Sequence, residues 1–122
     1  MGEISQSTKI ETIVKALDSK RAEDIQVIGI KDLTIIADYF VIANGDSNTQ
    51  TKALADEVEY KMDLLGIKPE RTEGYQTSQW IVLDYGDIVV HVFYKETREF
   101  YNLERLWSDG EQVDISAYIT ED

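Results

Sequence analysis

The chain has 122 residues, 43% hydrophobic and 30% charged, the balance of one folded domain and not of a disordered chain. Twenty-four acidic residues stand against twelve basic ones, a formal net charge of −12. That excess argues against a chain that grips DNA or RNA phosphates through clustered Lys and Arg, or that docks on an anionic membrane surface. The absence of cysteine excludes disulfides, zinc–thiolate sites, iron–sulfur clusters and a thiol nucleophile.

No apolar run reaches the ~18 residues of a membrane span, and Met1 to Gln6 lack the pattern of a signal peptide. A soluble, cytoplasmic protein is expected.

The first element reads as a helix. Thr8 and Glu11 fit a capping box, and Ile10, Ile13, Val14 and Leu17 recur at helical spacing. Lys20 and Arg21 are expected in its last turn, facing the negative end of the dipole. Residues 24–30 form a first strand, and 33–37 a turn. Residues 38–44, apolar on both faces, form a second strand expected at the centre of the sheet.

Ser47 and Gln50 open the longest helix, with Leu54, Val58, Met62 and Leu65 as its buried stripe and Gly66 as its C-terminal stop. Residues 70–75 suggest a short strand. Residues 80–84 and 87–94 are strands joined through Tyr85-Gly86 as a hairpin. Residues 95–107 look helical, with Phe100, Leu103 and Trp107 on one side. The domain is expected to run from residue 1 to 110, and residues 111–122 to form a loosely ordered acidic tail. This order makes an α/β fold, a mixed sheet flanked by helices. The second strand, long helix and next strand would form a parallel crossover.

Catalytic signals are sparse. The sole histidine, His91, lies within an apolar strand. No His-x-x-x-His, Gly-x-Ser-x-Gly or phosphate-cradling glycine loop occurs. Gly45-Asp46-Ser47 joins a strand to a helix, where free N–H groups can hold an anion, but Asp46 puts a negative charge there. Asp84 and Asp87 flank the hairpin turn, where Asp ordinarily stabilises turns and only as a pair would hold magnesium. A nucleotide-binding or nucleotidyltransferase-type domain is the alternative these residues leave open.

Trp80 is more informative. Alternation puts Trp80, Val82 and Asp84 on one face and Ile81 and Leu83 on the other. If the second set packs on the long helix, Trp80 is either an exposed anchor for a partner or the core of a second covered face.

The run from Trp80 to Phe93 resembles the ribosomal silencing factors, the Iojap-like family. The resemblance continues through Arg98-Glu99-Phe100-Tyr101-Asn102-Leu103-Glu104-Arg105-Leu106-Trp107 and is visible upstream in residues 37–45 and in Glu73-Gly74. It spans residues 8–110. Asn44 stands where many members have Thr, and residues 75–79 vary.

The resemblance implies a nucleotidyltransferase-like fold without catalysis or cofactor. It implies docking on the large ribosomal subunit through the ribosomal protein numbered fourteen, which blocks subunit joining and represses translation. The partner-binding residues expected are Trp80, Val82, Asp84, Asp87, His91, Phe93 and Glu104. A homodimer through the same face is a further expectation.

Overall fold

The structure, a computed structural model, describes residues 4–120. Six strands form one mixed sheet: β1 (Glu23–Gly29), β2 (Tyr39–Gly45), β3 (Arg71–Glu73), β4 (Trp80–Asp84), β5 (Ile88–Tyr94) and β6 (Glu111–Gln112), in spatial order β3-β4-β5-β2-β1-β6. Among the described residues only β2 and β5 pair in parallel. The parallel partner of β2 is therefore not the strand after the long helix. β3 and β4 go to the edge first, and β4 returns antiparallel into β5. β2 is central, as its two apolar faces require.

Helix α1 (Gln6–Ser19) begins one turn earlier than the Thr8–Glu11 pattern suggests. Ser5 is the N-cap, its Oγ accepting from the Thr8 N–H at 3.1 Å. Lys20 is the C-cap and Arg21 lies beyond it with φ 64°, so neither basic residue is in the last turn. Helix α2 (Asn48–Leu64) starts where expected. The Ser47 Oγ accepts from the Gln50 N–H at 3.0 Å, and Gln50 Oε1 reaches back to the Asp46 N–H at 2.7 Å. It ends in a Schellman motif. Gly66, at φ 79°, donates to Asp63 O, and Ile67 donates to Met62 O.

α1 and α2 cover one face of the sheet. Ile13, Val14, Leu17, Leu54, Val58 and Met62 meet Val41, Ala43, Ile81, Leu83, Val90 and Val92 there, all fully buried. The opposite face carries a second cluster, with Ile28, Ile30, Phe40, Ile42, Val89, Phe93 and Leu103. Its cover comes from two short helices, α3 (Lys95–Tyr101) and α4 (Leu103–Leu106). The single helix expected over 95–107 is broken because Asn102 adopts a left-handed backbone, φ 48° and ψ 56°.

Residues 111–120 are not a loose tail, and the last two positions of the expected tail lie outside the described residues. Glu111–Gln112 pairs with β1, and Val113, Ile115, Tyr118 and Ile119 pack on the first core. The Thr120 N–H donates to Asp18 on α1 at 2.9 Å. Among the described residues no helix is long and apolar enough to cross a membrane.

Candidate protein-docking surface

Register decides which side chains share the open face. Trp80 pairs with Phe93, Val82 with His91 and Asp84 with Val89. Because paired residues point the same way, all six lie on one face, opposite Ile81 and Leu83. Trp80 is half-buried and stacks on Phe93 with ring centroids 4.9 Å apart, while Tyr101 of α3 packs on it at 5.0 Å. Its indole N–H donates to His91 Nδ1 at 3.1 Å. That bond assigns the imidazole proton to Nε2.

His91 is buried and lies edge-on to Phe40 at 4.6 Å. Burial pushes its pKa from the ordinary 6.5 down to about 4, the Asp84 carboxylate offsetting part of the shift. A neutral imidazole is what the Trp80 bond needs, since a protonated Nδ1 has no lone pair to accept with.

The expected site residues thus take different places. Trp80 and Val82 are half-buried on the open face, and Asp84 stands beside them, its Oδ1 accepting from the Gly86 N–H at 2.8 Å. His91 and Phe93 lie beneath Trp80, and Phe93 is fully buried, so it shapes the surface from below without reaching it. Asp87 lies apart, its carboxylate accepting from Gln6 at 3.1 Å and paired with Lys9 at 3.3 Å on α1. Glu104 accepts from Arg98 Nε at 3.1 Å. Neither Asp87 nor Glu104 is a free charge for a partner.

The structure adds residues that periodicity missed. Phe100 is 80% exposed, Leu106 74% and Tyr101 55%. A continuous helix would have set Phe100 beside Leu103 and Trp107. The break at Asn102 sends Phe100 to solvent, while Leu103 is buried and Trp107 packs on Phe40 at 5.4 Å. Ile30 and Ala37, both in this face's cluster, bracket a loop whose Leu33, Ile35 and Ile36 are exposed. Contiguous exposed apolar side chains mark interaction surfaces, and Phe100 and Tyr101 adjoin at 5.0 Å. On the other side Tyr60 and Leu64 of α2 are also exposed, but on a helix that carries Asp56, Glu57, Glu59 and Asp63.

The strand–helix junction at residues 45–47 uses its groups internally. Ser47 caps α2, and the Asp46 N–H is held by Gln50. A Cβ on Gly45 would crowd the Gln50 side chain at 3.1 Å. Among the described residues no group of three or more His, Asp or Glu side chains is placed to hold a metal ion.

A family profile described as "Ribosomal silencing factor during starvation" matches residues 3–122. The chain belongs to the ribosomal silencing factor family. It is 39% identical to "Ribosomal silencing factor RsfS" of Bacillus subtilis over 92% of this chain and 95% of that one. It is 38% identical to the protein of the same name from Halalkalibacterium halodurans, over 96% and 100% of the two chains. A crystal structure of a Chromobacterium violaceum protein superposes with a TM-score of 0.84 at 31% identity, over 93% of each chain. Members of the family are named for silencing ribosomes, a regulatory act and not a catalytic one. An open apolar face suits such a regulator, because binding and not turnover is its work.

Proposed function

We propose that the open sheet face docks on a protein of the large ribosomal subunit, the ribosomal protein numbered fourteen, and that the bound chain blocks subunit joining and so represses translation. One observation carries this reading. Phe100, Tyr101 and Leu106 on α3–α4, with Trp80 beside Tyr101, expose apolar surface on a chain of net charge −12. That charge repels bare rRNA and favours a basic protein platform, where complementary charge speeds encounter and orients docking. The reading places the chain in the cytoplasm, with the ribosomes. The same face is the one a second copy of the chain would use in a homodimer, for which a concentration series in analytical ultracentrifugation is the test.

Trp80 is the anchor. Its ring has Phe93 below, Tyr101 beside it and its N–H satisfied by His91, so its orientation is set before the partner arrives. Val82 and Asp84 extend the contact. The test is co-sedimentation with large subunits, followed by a joining assay with small subunits added. Wild-type protein travels with large subunits and reduces the joined peak. Trp80→Ala weakens binding by about 2 kcal/mol or more, roughly thirtyfold. Absence of co-sedimentation, or an unchanged affinity in the folded variant, overturns the reading.

A further inference from the structure

The helix that bears Phe100 and Tyr101 buries no apolar side chain of its own. α3 is seven residues long, and its one buried side chain is a cation, Arg98, 5% exposed. A helix this short does not hold itself in water.

The Arg98 guanidinium reaches three separate pieces of the chain. Its Nη1 donates to Asn44 Oδ1 at the end of β2 at 2.8 Å and to the Glu23 carbonyl of β1 at 3.3 Å. Its Nε donates to Glu104 Oε2 on α4 at 3.1 Å, and its Nη2 lies 3.5 Å from the Asp24 carboxylate. Asn44 is itself oriented, its Nδ2 donating to Glu23 Oε1 at 2.9 Å.

The backbone bends on both sides of this group. β1 bulges between Glu23 and Gln26, with Asp24 at φ 46°. Asn102, at φ 48°, separates α3 from α4, and its N–H donates to the Arg98 carbonyl at 2.8 Å. Left-handed backbone is disfavoured for any residue with a side chain and persists only where the surroundings hold it. Here both bends lead to a carboxylate that faces Arg98.

We propose that Arg98 is the positioning residue of the docking face, latching α3–α4 to the ends of β1 and β2 so that Tyr101 packs on Trp80 and Phe100 stands against Tyr101. This rests on the reading of that face as the ribosome-binding surface. Lysine cannot fill the role completely, because a single ammonium does not present a planar fork to acceptors on three elements.

The test uses full-length protein and three variants: Arg98→Gln, Arg98→Lys and Glu104→Gln. Amide hydrogen exchange of residues 96–107 is compared with that of β2 and β5, and large-subunit affinity is measured alongside. Arg98→Gln speeds exchange over 96–107 at least about tenfold, leaves β2 and β5 within about threefold, and weakens binding about tenfold. Arg98→Lys restores part of both losses. Glu104→Gln, which keeps the shape and removes one charge, moves both readouts the same way by less, and it serves if Arg98→Gln does not fold. Emission of Trp80 in a Trp107→Phe background shifts red in Arg98→Gln as Tyr101 leaves it.

Protection lost evenly over the whole sheet, with affinity unchanged in the folded protein, would reduce Arg98 to general stability and overturn the proposal. Unchanged exchange over 96–107 overturns it equally. If wild-type protein fails to bind large subunits while the local exchange effect stands, the docking reading falls and the latch remains.

Discussion

The two faces of one sheet are finished differently. On one, α1 and α2 lay 14 and 17 residues of helix over the strands, and their apolar stripes seal Val41, Ile81, Leu83, Val90 and Val92 completely. On the other, α3 and α4 contribute seven and four residues, bury one arginine and one leucine, and leave Phe100, Tyr101 and Leu106 in solvent. The first face is an interior, and its interactions are spent on stability. The second is an interior left half covered, and the apolar surface that remains is free for a partner. The central strands β2 and β5 hardly distinguish the faces, since both are buried on either side; only at β4 does one side, with Trp80, Val82 and Asp84, lie half open. The length and anchoring of the covering helices do.

Mutations separate the faces. On the sealed side, Leu54→Ala removes a fully buried side chain from α2. It lowers unfolding free energy by about 3 kcal/mol in urea titration and leaves large-subunit affinity per folded molecule unchanged. An effect under ~1 kcal/mol would mean that α2 is less tightly seated than its burial indicates.

Acid acts on the open side. His91 has its pKa lowered from 6.5 to about 4 in the folded chain. The unfolded state therefore binds the extra proton between those values, so this stabilisation is complete above 6.5 and is lost as pH falls toward 4. It amounts to about 3 kcal/mol. Urea midpoints of wild type and His91→Gln across pH 7 to 4 isolate it, because the carboxylates titrate alike in both. Parallel pH profiles would show that His91 is not held neutral.

Gly74 directly follows β3, with φ 78°, and a Cβ there would collide with the Trp80 carbonyl. Gly74→Ala costs about 1–3 kcal/mol of stability and disturbs the β3–β4 edge on which Trp80 sits. Trp80 emission and thermal unfolding read the two effects. The smallest change in stability is expected at the exposed surface. Phe100→Ala alters unfolding free energy by no more than ~0.5 kcal/mol, yet weakens large-subunit binding about tenfold. Equal losses in stability and binding would place Phe100 in the core and erase the difference between the faces.

The site was only partly legible in the chain. Trp80, Val82 and Asp84 were readable as one strand face, because alternation over five residues is a local pattern. Their union with His91 and Phe93 needed the hairpin register, which shows Val82 opposite His91. Asp87 and Glu104 read as surface charges, and both are bound within the fold, to Lys9 and to Arg98. Arg98 itself sits in a run of charged residues, Lys95-Glu96-Thr97-Arg98-Glu99, that reads as a solvated helix face. Its acceptors at Glu23 and Asn44 lie 75 and 54 positions earlier, so no local window reveals its burial.

What the sequence determined by itself lies within reach of a few residues: the Ser47 cap and Gly66 stop of α2, the stripe of Leu54, Val58 and Met62, the β4–β5 pair, and the central place of the doubly apolar β2. Each follows from a backbone preference or a period that a short segment carries alone. The tertiary structure decided the break at Asn102, the docking of residues 111–119, the parallel pairing of β2 with β5 across α2, and the burial of Arg98. Those outcomes depend on partners many tens of residues away, and there packing and hydrogen-bond satisfaction over the whole fold override what the local chain prefers.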